Sequence, residues 1–242
     1  MSSSKVERRK LFFSSVYPAV FVVLLWLIKG VEVQFDLDFG KYGILPRDLM
    51  GSRGILLAPL IHAGFEHLIN NSIPLLLLGT ALFYFYRSLA FRIFFFSYLL
   101  SSLYTWISAR YNYHIGASGL VYALFSFLLI SGFIRRHLQL IAISFLVAFL
   151  YGSLIWGIMP WDQKISWEGH FWGFMVGLIL GIFYRKKGPQ RKVYVWEEEE
   201  NEDDENDQDL PEDRFWERDD PEDYWKSNSS AQGTGWIYKL KK

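Results

Sequence analysis

Six runs of apolar residues, each closed off by charged or imidazole side chains, divide the first three-quarters of the chain. Residues 11–28 lie between Lys10 and Lys29, 68–86 between His67 and Arg87, and 93–109 between Arg92 and Arg110. Residues 115–134 lie between His114 and Arg135, 138–161 between His137 and Asp162, and 169–184 between Glu168 and Arg185. A helix rises about 1.5 Å per residue, so crossing the hydrocarbon core of a bilayer takes roughly 20 residues, with a range of about 17–25. Five runs meet that range. The sixth falls just short, because it opens on the polar His170. The pattern predicts an all-α membrane protein with six spans over residues 11–185.

The first run resembles the core of a secretory signal, since Lys5, Arg8, Arg9 and Lys10 precede it. It is longer than such cores, however, and Lys29-Gly30-Val31-Glu32 gives no small-x-small cleavage site. A retained span is therefore expected. Lys and Arg concentrate in alternate connections: Lys5–Lys10, Arg87 with Arg92, Arg135-Arg136, and Arg185 through Lys192. The other connections are mixed or poor in bases. By the positive-inside rule both termini are expected in the cytoplasm, with the starts of the second, fourth and sixth spans at the outer face. The arginine-led asymmetry favours a bacterial plasma membrane.

Composition sharpens this division. Of 242 residues, 51% are apolar and 19% aromatic, far more aromatic than an ordinary soluble domain. The formal charge of zero is a cancellation: residues 197–223 hold 17 Asp or Glu against 2 Arg, leaving 23 basic against 8 acidic side chains elsewhere. Three segments follow. They are a basic cytoplasmic N-terminus (1–10), a six-helix membrane domain (11–185), and a basic-then-acidic tail (186–242). The acidic stretch is too polar to bury a core and is expected to be disordered. A solvated tail is its plain reading. The sharper one is a docking segment for a cytoplasmic partner, because Trp196, Phe215, Trp216, Tyr224, Trp225, Trp236 and Tyr238 punctuate it. With no cysteine in the chain, disulfides, thiolate metal sites and cysteine nucleophiles are excluded. No metal or other cofactor is expected, and no nucleic-acid partner.

The polar residues at the starts of the even-numbered spans carry the candidate chemistry. Ser118 lies in Gly116-Ala117-Ser118-Gly119, and His170 begins His-x-x-Gly-x-x-x-Gly. A polar or ionisable side chain at membrane depth is costly and marks function by default. A serine hydroxyl becomes a nucleophile when a base takes its proton, and histidine is the usual partner. Gly173, Gly177 and Gly181 recur every four residues, the small-xxx-small spacing that lets helix backbones approach closely. Gly119 removes bulk beside Ser118, and Tyr122 lies one turn along to pack on the imidazole. For the oxyanion of acyl transfer, donors are available from the Ser118 N–H and from His67 and Asn71, four apart on one helix face. No acid lies one turn from His170 within a span, so a dyad is expected.

Each feature also has a plainer reading. Serine in a membrane helix is commonly packing, and the glycine series alone means helix association. His67 with Asn71 reads equally as interhelical glue. His62 is expected at the interface, Arg110 and His114 as a span boundary, and Asp162 and Glu168 as loop charges. Joint occurrence in this order and at one depth favours the chemical reading.

These residues resemble the rhomboid family of intramembrane serine proteases. The resemblance covers residues 11–185. It aligns Gly116-Ala117-Ser118-Gly119 with the family's nucleophile motif, His170 with its general base, and Gly173 and Gly177 with the glycines that follow that base. Tyr122 stands where the family packs a tyrosine under the histidine. His67 and Asn71 match the histidine and asparagine that line the family's oxyanion hole, with His62 a further upstream histidine. The implied fold is a six-transmembrane-helix rhomboid-like bundle. The implied activity is endoproteolysis of single-span membrane proteins in or near their spans. One departure is that Gly51-Ser52-Arg53-Gly54 stands where many members carry a Trp-Arg pair, which puts the usual anchoring of the first loop in question. Two other classes remain open: a non-catalytic membrane chaperone or escort that binds client helices, and a small transporter or channel. The second is opposed by polar residues that gather at one face and form no path across.

Overall fold

The computed structural model describes residues 3–150, 157–160 and 166–188. Within them the chain is all-helical: α1 (Ser3–Gln34), a four-residue α2 (Gly54–Leu57), α3 (Phe65–Phe85), α4 (Ala90–Ser108), α5 (Ser118–Ile134), α6 (Leu138–Leu150) and α7 (Trp167–Phe183). Six long helices correspond to the six apolar runs. The tail beyond Gly188, with its aromatic and acidic residues, lies outside the described residues, as do Asp162 and Lys164.

Large apolar side chains face outward along these helices. Leu138, Phe149 and Phe183 are among the most exposed, at 78%, 85% and 74%. An outer surface this apolar is stable only against lipid. The protein is an integral membrane protein. α1, α3 and α4 are long and apolar enough to cross, while α5, α6 and α7 are shorter apolar helices of 17, 13 and 17 residues. A 17-residue helix rises about 25 Å, somewhat less than a hydrocarbon core of about 30 Å.

α5 is the axis of the bundle. It packs most extensively on α7 and also meets α3, α4 and α6. Leu120, Leu124, Phe127 and Leu128 of α5 are fully buried, together with Leu68, Leu75, Leu78 and Leu82 of α3. Four hydroxyls inside the bundle are satisfied on their own helices: Ser72, Ser101, Thr105 and Ser144 each donate to the carbonyl four residues earlier, at 2.6–3.0 Å. Such back-bonding is how a hydroxyl is carried at membrane depth.

The predicted element boundaries shift where a charge finds a partner. α1 runs straight through Lys29, read from sequence as its end. The Lys29 ammonium is buried and donates to Glu32 at 2.7 Å and to the His62 and Ala63 carbonyls at 3.1 and 3.2 Å. The fifth run also departs from expectation at its far end, since residues 157–160 form a turn rather than helix.

The first loop is anchored without the Trp-Arg pair. Trp106 of α4 donates from Nε1 to the Asp48 carbonyl at 3.0 Å, and Arg47 reaches the Ala109 carbonyl at 2.7 Å. Gly51 and Gly54 permit backbone contact: a Cβ on Gly54 would lie 2.3 Å from the Gly43 carbonyl carbon. A two-way backbone bridge between Ile44 and His114 then ties this loop to the segment before α5.

Candidate active site

Glycine holds α5 and α7 together at backbone distance. A Cβ at Gly173 would lie 2.1 Å from the Gly119 carbonyl oxygen, one at Gly177 would lie 2.0 Å from that of Ala123, and one at Gly181 would lie 2.2 Å from Ile130. Ser126 locks the pair by donating to the Phe174 carbonyl at 2.8 Å. The sequence reading of small-xxx-small packing thus has its structural counterpart, and the approach occurs just below the starts of both helices.

There, Nε2 of His170 is 2.8 Å from Oγ of Ser118. Nδ1 of the same ring is 2.8 Å from the Gly157 carbonyl oxygen. A carbonyl can only accept, so Nδ1 must carry the proton, which leaves the Nε2 lone pair facing the Ser118 hydroxyl. That is the tautomer a general base requires. The Tyr122 ring lies under the imidazole, with centroids 4.4 Å apart and planes at 18°. Imidazole position is therefore set on three sides, by Ser118, Gly157 and Tyr122. Gly157 escaped the sequence reading. A glycine 13 residues before the histidine bears no side-chain signal of a carbonyl contact.

His67 and Asn71 approach from α3. Gly116 has φ +110°, a conformation that favours glycine, and a Cβ there would lie 2.6 Å from His67 Cε1 and 3.7 Å from Asn71 Nδ2. The glycine therefore serves twice, turning the chain into α5 and admitting the His67 ring against its backbone. Asn71 is 4% exposed and donates one amide hydrogen to the His67 carbonyl at 3.1 Å, keeping the other available. Ser118 is the first residue of α5, so its N–H has no acceptor four residues back within the helix.

His62, read as interfacial, and His114, read as a span boundary, are both built into this region. His62 is only 2% exposed, stands edge-on to His67 with centroids 5.1 Å apart, and accepts from the Ala117 N–H at 3.4 Å. Burial, together with the neighbouring His67, pushes its pKa down to about 3. His114 is 3% exposed, with Nδ1 2.7 Å from Ser166 Oγ and Nε2 3.0 Å from the Arg110 carbonyl. Burial lowers its pKa as well. The only prior signal for His62 was its spacing from His67, and His114 had none. Glu168 is buried beside Arg110, whose Nε lies 3.6 Å away, and accepts from the Arg110 N–H at 3.3 Å. It is not bonded to the His170 ring, whose Nδ1 is taken by Gly157.

A cavity of about 30 Å³ adjoins Ser118 and is lined by Ser101, Ser102, Thr105, His114 and Ser166. A water occupies about 30 Å³ of the liquid and needs two to four polar partners, which this lining offers. Among the described residues no cluster of His, Asp or Glu has the arrangement of a metal site.

Comparison with known proteins yields one family. The model of the Rhomboid domain matches residues 52–187, more than half of the chain. Uncharacterized proteins of Mycobacterium bovis and Mycobacterium tuberculosis are each 34% identical over 187 residues, covering 72% of this chain and 75% of theirs. An uncharacterized protein of Mycobacterium leprae is 30% identical over 190 residues, covering 74% and 73%.

Proposed function

The chain belongs to the rhomboid family, and from that premise we propose that it is an intramembrane serine endopeptidase that cleaves single-span membrane proteins. The observation that carries this reading is the 2.8 Å contact between His170 Nε2 and Ser118 Oγ, with the ring's other nitrogen engaged by the Gly157 carbonyl.

The chemistry follows from that geometry. Ser118 Oγ attacks the carbonyl carbon of a peptide bond while its proton passes to His170 Nε2. The carbonyl oxygen takes the negative charge. The donors nearest to hand are the Ser118 N–H, the His67 ring and the Asn71 amide, and charge-directed donors of this kind contribute about 3–4 kcal/mol each. Collapse of the intermediate breaks the C–N bond, and Nε2 gives its proton to the leaving amine. A water then attacks the Ser118 ester with Nε2 again as base, releasing the acid and restoring the hydroxyl. The hydroxyl-lined cavity beside Ser118 is the reservoir for that water, at a depth where bulk water is scarce. No acid is required, because the Gly157 carbonyl fixes the tautomer.

In this reading the site faces the outer side of a bacterial plasma membrane and both termini are cytoplasmic. The positive-inside distribution of Lys and Arg supports that orientation. Substrates are single-span proteins whose chain can open from helix to extended strand near Ser118.

A fluorophosphonate probe tests the proposal on the purified full-length chain. The wild type is expected to be labelled, with labelling abolished in both Ser118→Ala and His170→Ala. Variants labelled like the wild type, or an unlabelled wild type that still binds client helices, would refute it, the latter in favour of an escort role.

A further inference from the structure

A second cavity, of about 700 Å³, lies at the other end of the bundle, between the beginning of α1, the end of α3 and the start of α4. Its floor is aromatic. The Tyr17, Phe83 and Phe91 rings touch one another pairwise, with centroids 4.8–4.9 Å apart. Its rim is basic, formed by Arg9, Lys10 and Arg87. Lys10 rests 4.0 Å over the Tyr84 ring, and Arg9 lies 5.6 Å from that of Phe13. None of the three cations makes an ion pair among the described residues, where the two pairs found are Lys29–Glu32 and Arg110–Glu168. Glu7, three residues before Lys10 on α1, accepts instead from the Tyr84 hydroxyl.

These two halves ask for one kind of occupant. The hollow is an open groove, with Phe13, Tyr17 and Phe91 each about half exposed, and such an apolar surface on membrane helices is covered by lipid chains rather than water. Its volume falls in the range of roughly 300–1,000 Å³ typical of small-molecule sites. Hydrocarbon fits the floor. At the rim, three cations with no ion-paired carboxylate among the described residues call for an anion, and guanidinium groups match phosphate oxygens in geometry as well as charge. A zwitterionic headgroup would bring an ammonium against those same cations. Basic pockets between spans at the cytoplasmic boundary are where acidic headgroups settle.

We propose that this cavity binds one anionic phospholipid, with its phosphate among Arg9, Lys10 and Arg87 and an acyl chain laid over Tyr17, Phe83 and Phe91. The site is remote from Ser118 and does not depend on the protease reading.

Native mass spectrometry of the full-length chain, released from detergent with added dioleoylphosphatidylglycerol or dioleoylphosphatidylcholine, tests it. One saturable phosphatidylglycerol adduct is expected, in clear preference to phosphatidylcholine. Arg9→Gln, Lys10→Gln and Arg87→Gln should each weaken it about five-fold, the factor that accompanies one charge near an anionic lipid surface. The triple variant should lose the preference, and Arg87→Lys should retain most of it. Thermal melting in detergent confirms that each variant is folded, and Arg87→Lys against Arg87→Gln still decides the matter if the triple variant is not. Equal adducts of the two lipids, or an undiminished phosphatidylglycerol adduct in the charge variants, would overturn the proposal. So would displacement by millimolar inorganic phosphate, which would mark a free-anion site. An adduct that forms only after deletion of residues 197–242 would likewise overturn it, assigning the cations to the chain's own acidic segment.

Discussion

Replacing Gly173 by alanine tests the link between helix packing and chemistry most directly. The added Cβ would lie 2.1 Å from the Gly119 carbonyl oxygen, whereas ordinary contact begins at 3.4 Å. The obstacle is backbone, so no side chain can swing aside. Relief requires α5 and α7 to separate by about 1.3 Å at this level. Ser118 precedes Gly119 by one residue and His170 precedes Gly173 by one turn, so the separation passes to the dyad nearly undiminished. The 2.8 Å contact would open to about 4 Å, beyond any hydrogen bond. A misplacement of about 1 Å costs on the order of 100-fold in rate, while overpacking costs about 1–3 kcal/mol of stability. The assay measures the second-order rate of fluorophosphonate labelling and, in parallel, the thermal midpoint in detergent. Gly119→Ala, whose Cβ would meet the Gly169 carbonyl at 3.2 Å, should lose less, and Gly30→Ala, with nothing within 4 Å, should lose nothing. A folded Gly173→Ala protein labelled at the wild-type rate would refute the argument that this glycine sets the Ser118–His170 distance.

Three further outcomes follow from named contacts. Tyr122→Ala, which loses a stack on the imidazole worth about 1 kcal/mol, should label about five-fold more slowly than the wild type. Arg135 is buried and donates to the Tyr184 and Lys187 carbonyls at 2.6 and 2.5 Å, so Arg135→Leu removes two buried charge-assisted bonds at the end of α7. It should destabilise the fold by about 3 kcal/mol, read as a lowered thermal midpoint. For His62, the folded pKa of about 3 lies below the ordinary 6.5, so as pH falls below 6.5 the unfolded chain gains a proton that the folded one refuses. Stability should therefore be intact above pH 6.5 and fall by about 2 kcal/mol between pH 6.5 and 5, and His62→Gln should flatten that part of the melting profile.

Much of the architecture could be read from the chain because lipid imposes a simple rule. A span must be apolar for its whole length, so charge-bounded runs mark helices with little ambiguity. The rule fails where protein supplies what lipid cannot. Lys29 reads as a boundary but lies inside α1, since Glu32 and two loop carbonyls solvate its ammonium. Arg92 is a simpler case, an exposed residue in the first turn of α4. The run continuing to residue 161 looks like unbroken helix, yet it gives way to a turn at Gly157–Pro160. Hydropathy records the environment of a segment and is silent about which polar groups meet there.

The site shows the same asymmetry. Ser118, His170, Tyr122 and the glycine series were legible because each bears a side-chain property, or a lack of one, at helical spacing. Gly157 contributes a carbonyl, which every residue possesses, and its use depends on how the chain returns towards α7. The burial of His62 and His114 was hidden for a related reason. A histidine beside a span is ordinarily solvated, and only the fold brings His67 and Ala117 to His62, and Ser166 and the Arg110 carbonyl to His114. The contacts that anchor the first loop come from a tryptophan on α4 and an arginine in the loop, far apart in sequence, so no local motif announces them. The backbone leading into α5 is held from two sides, by the Ile44–His114 bridge to the first loop and by His62, which accepts from the Ala117 N–H one residue before the candidate nucleophile.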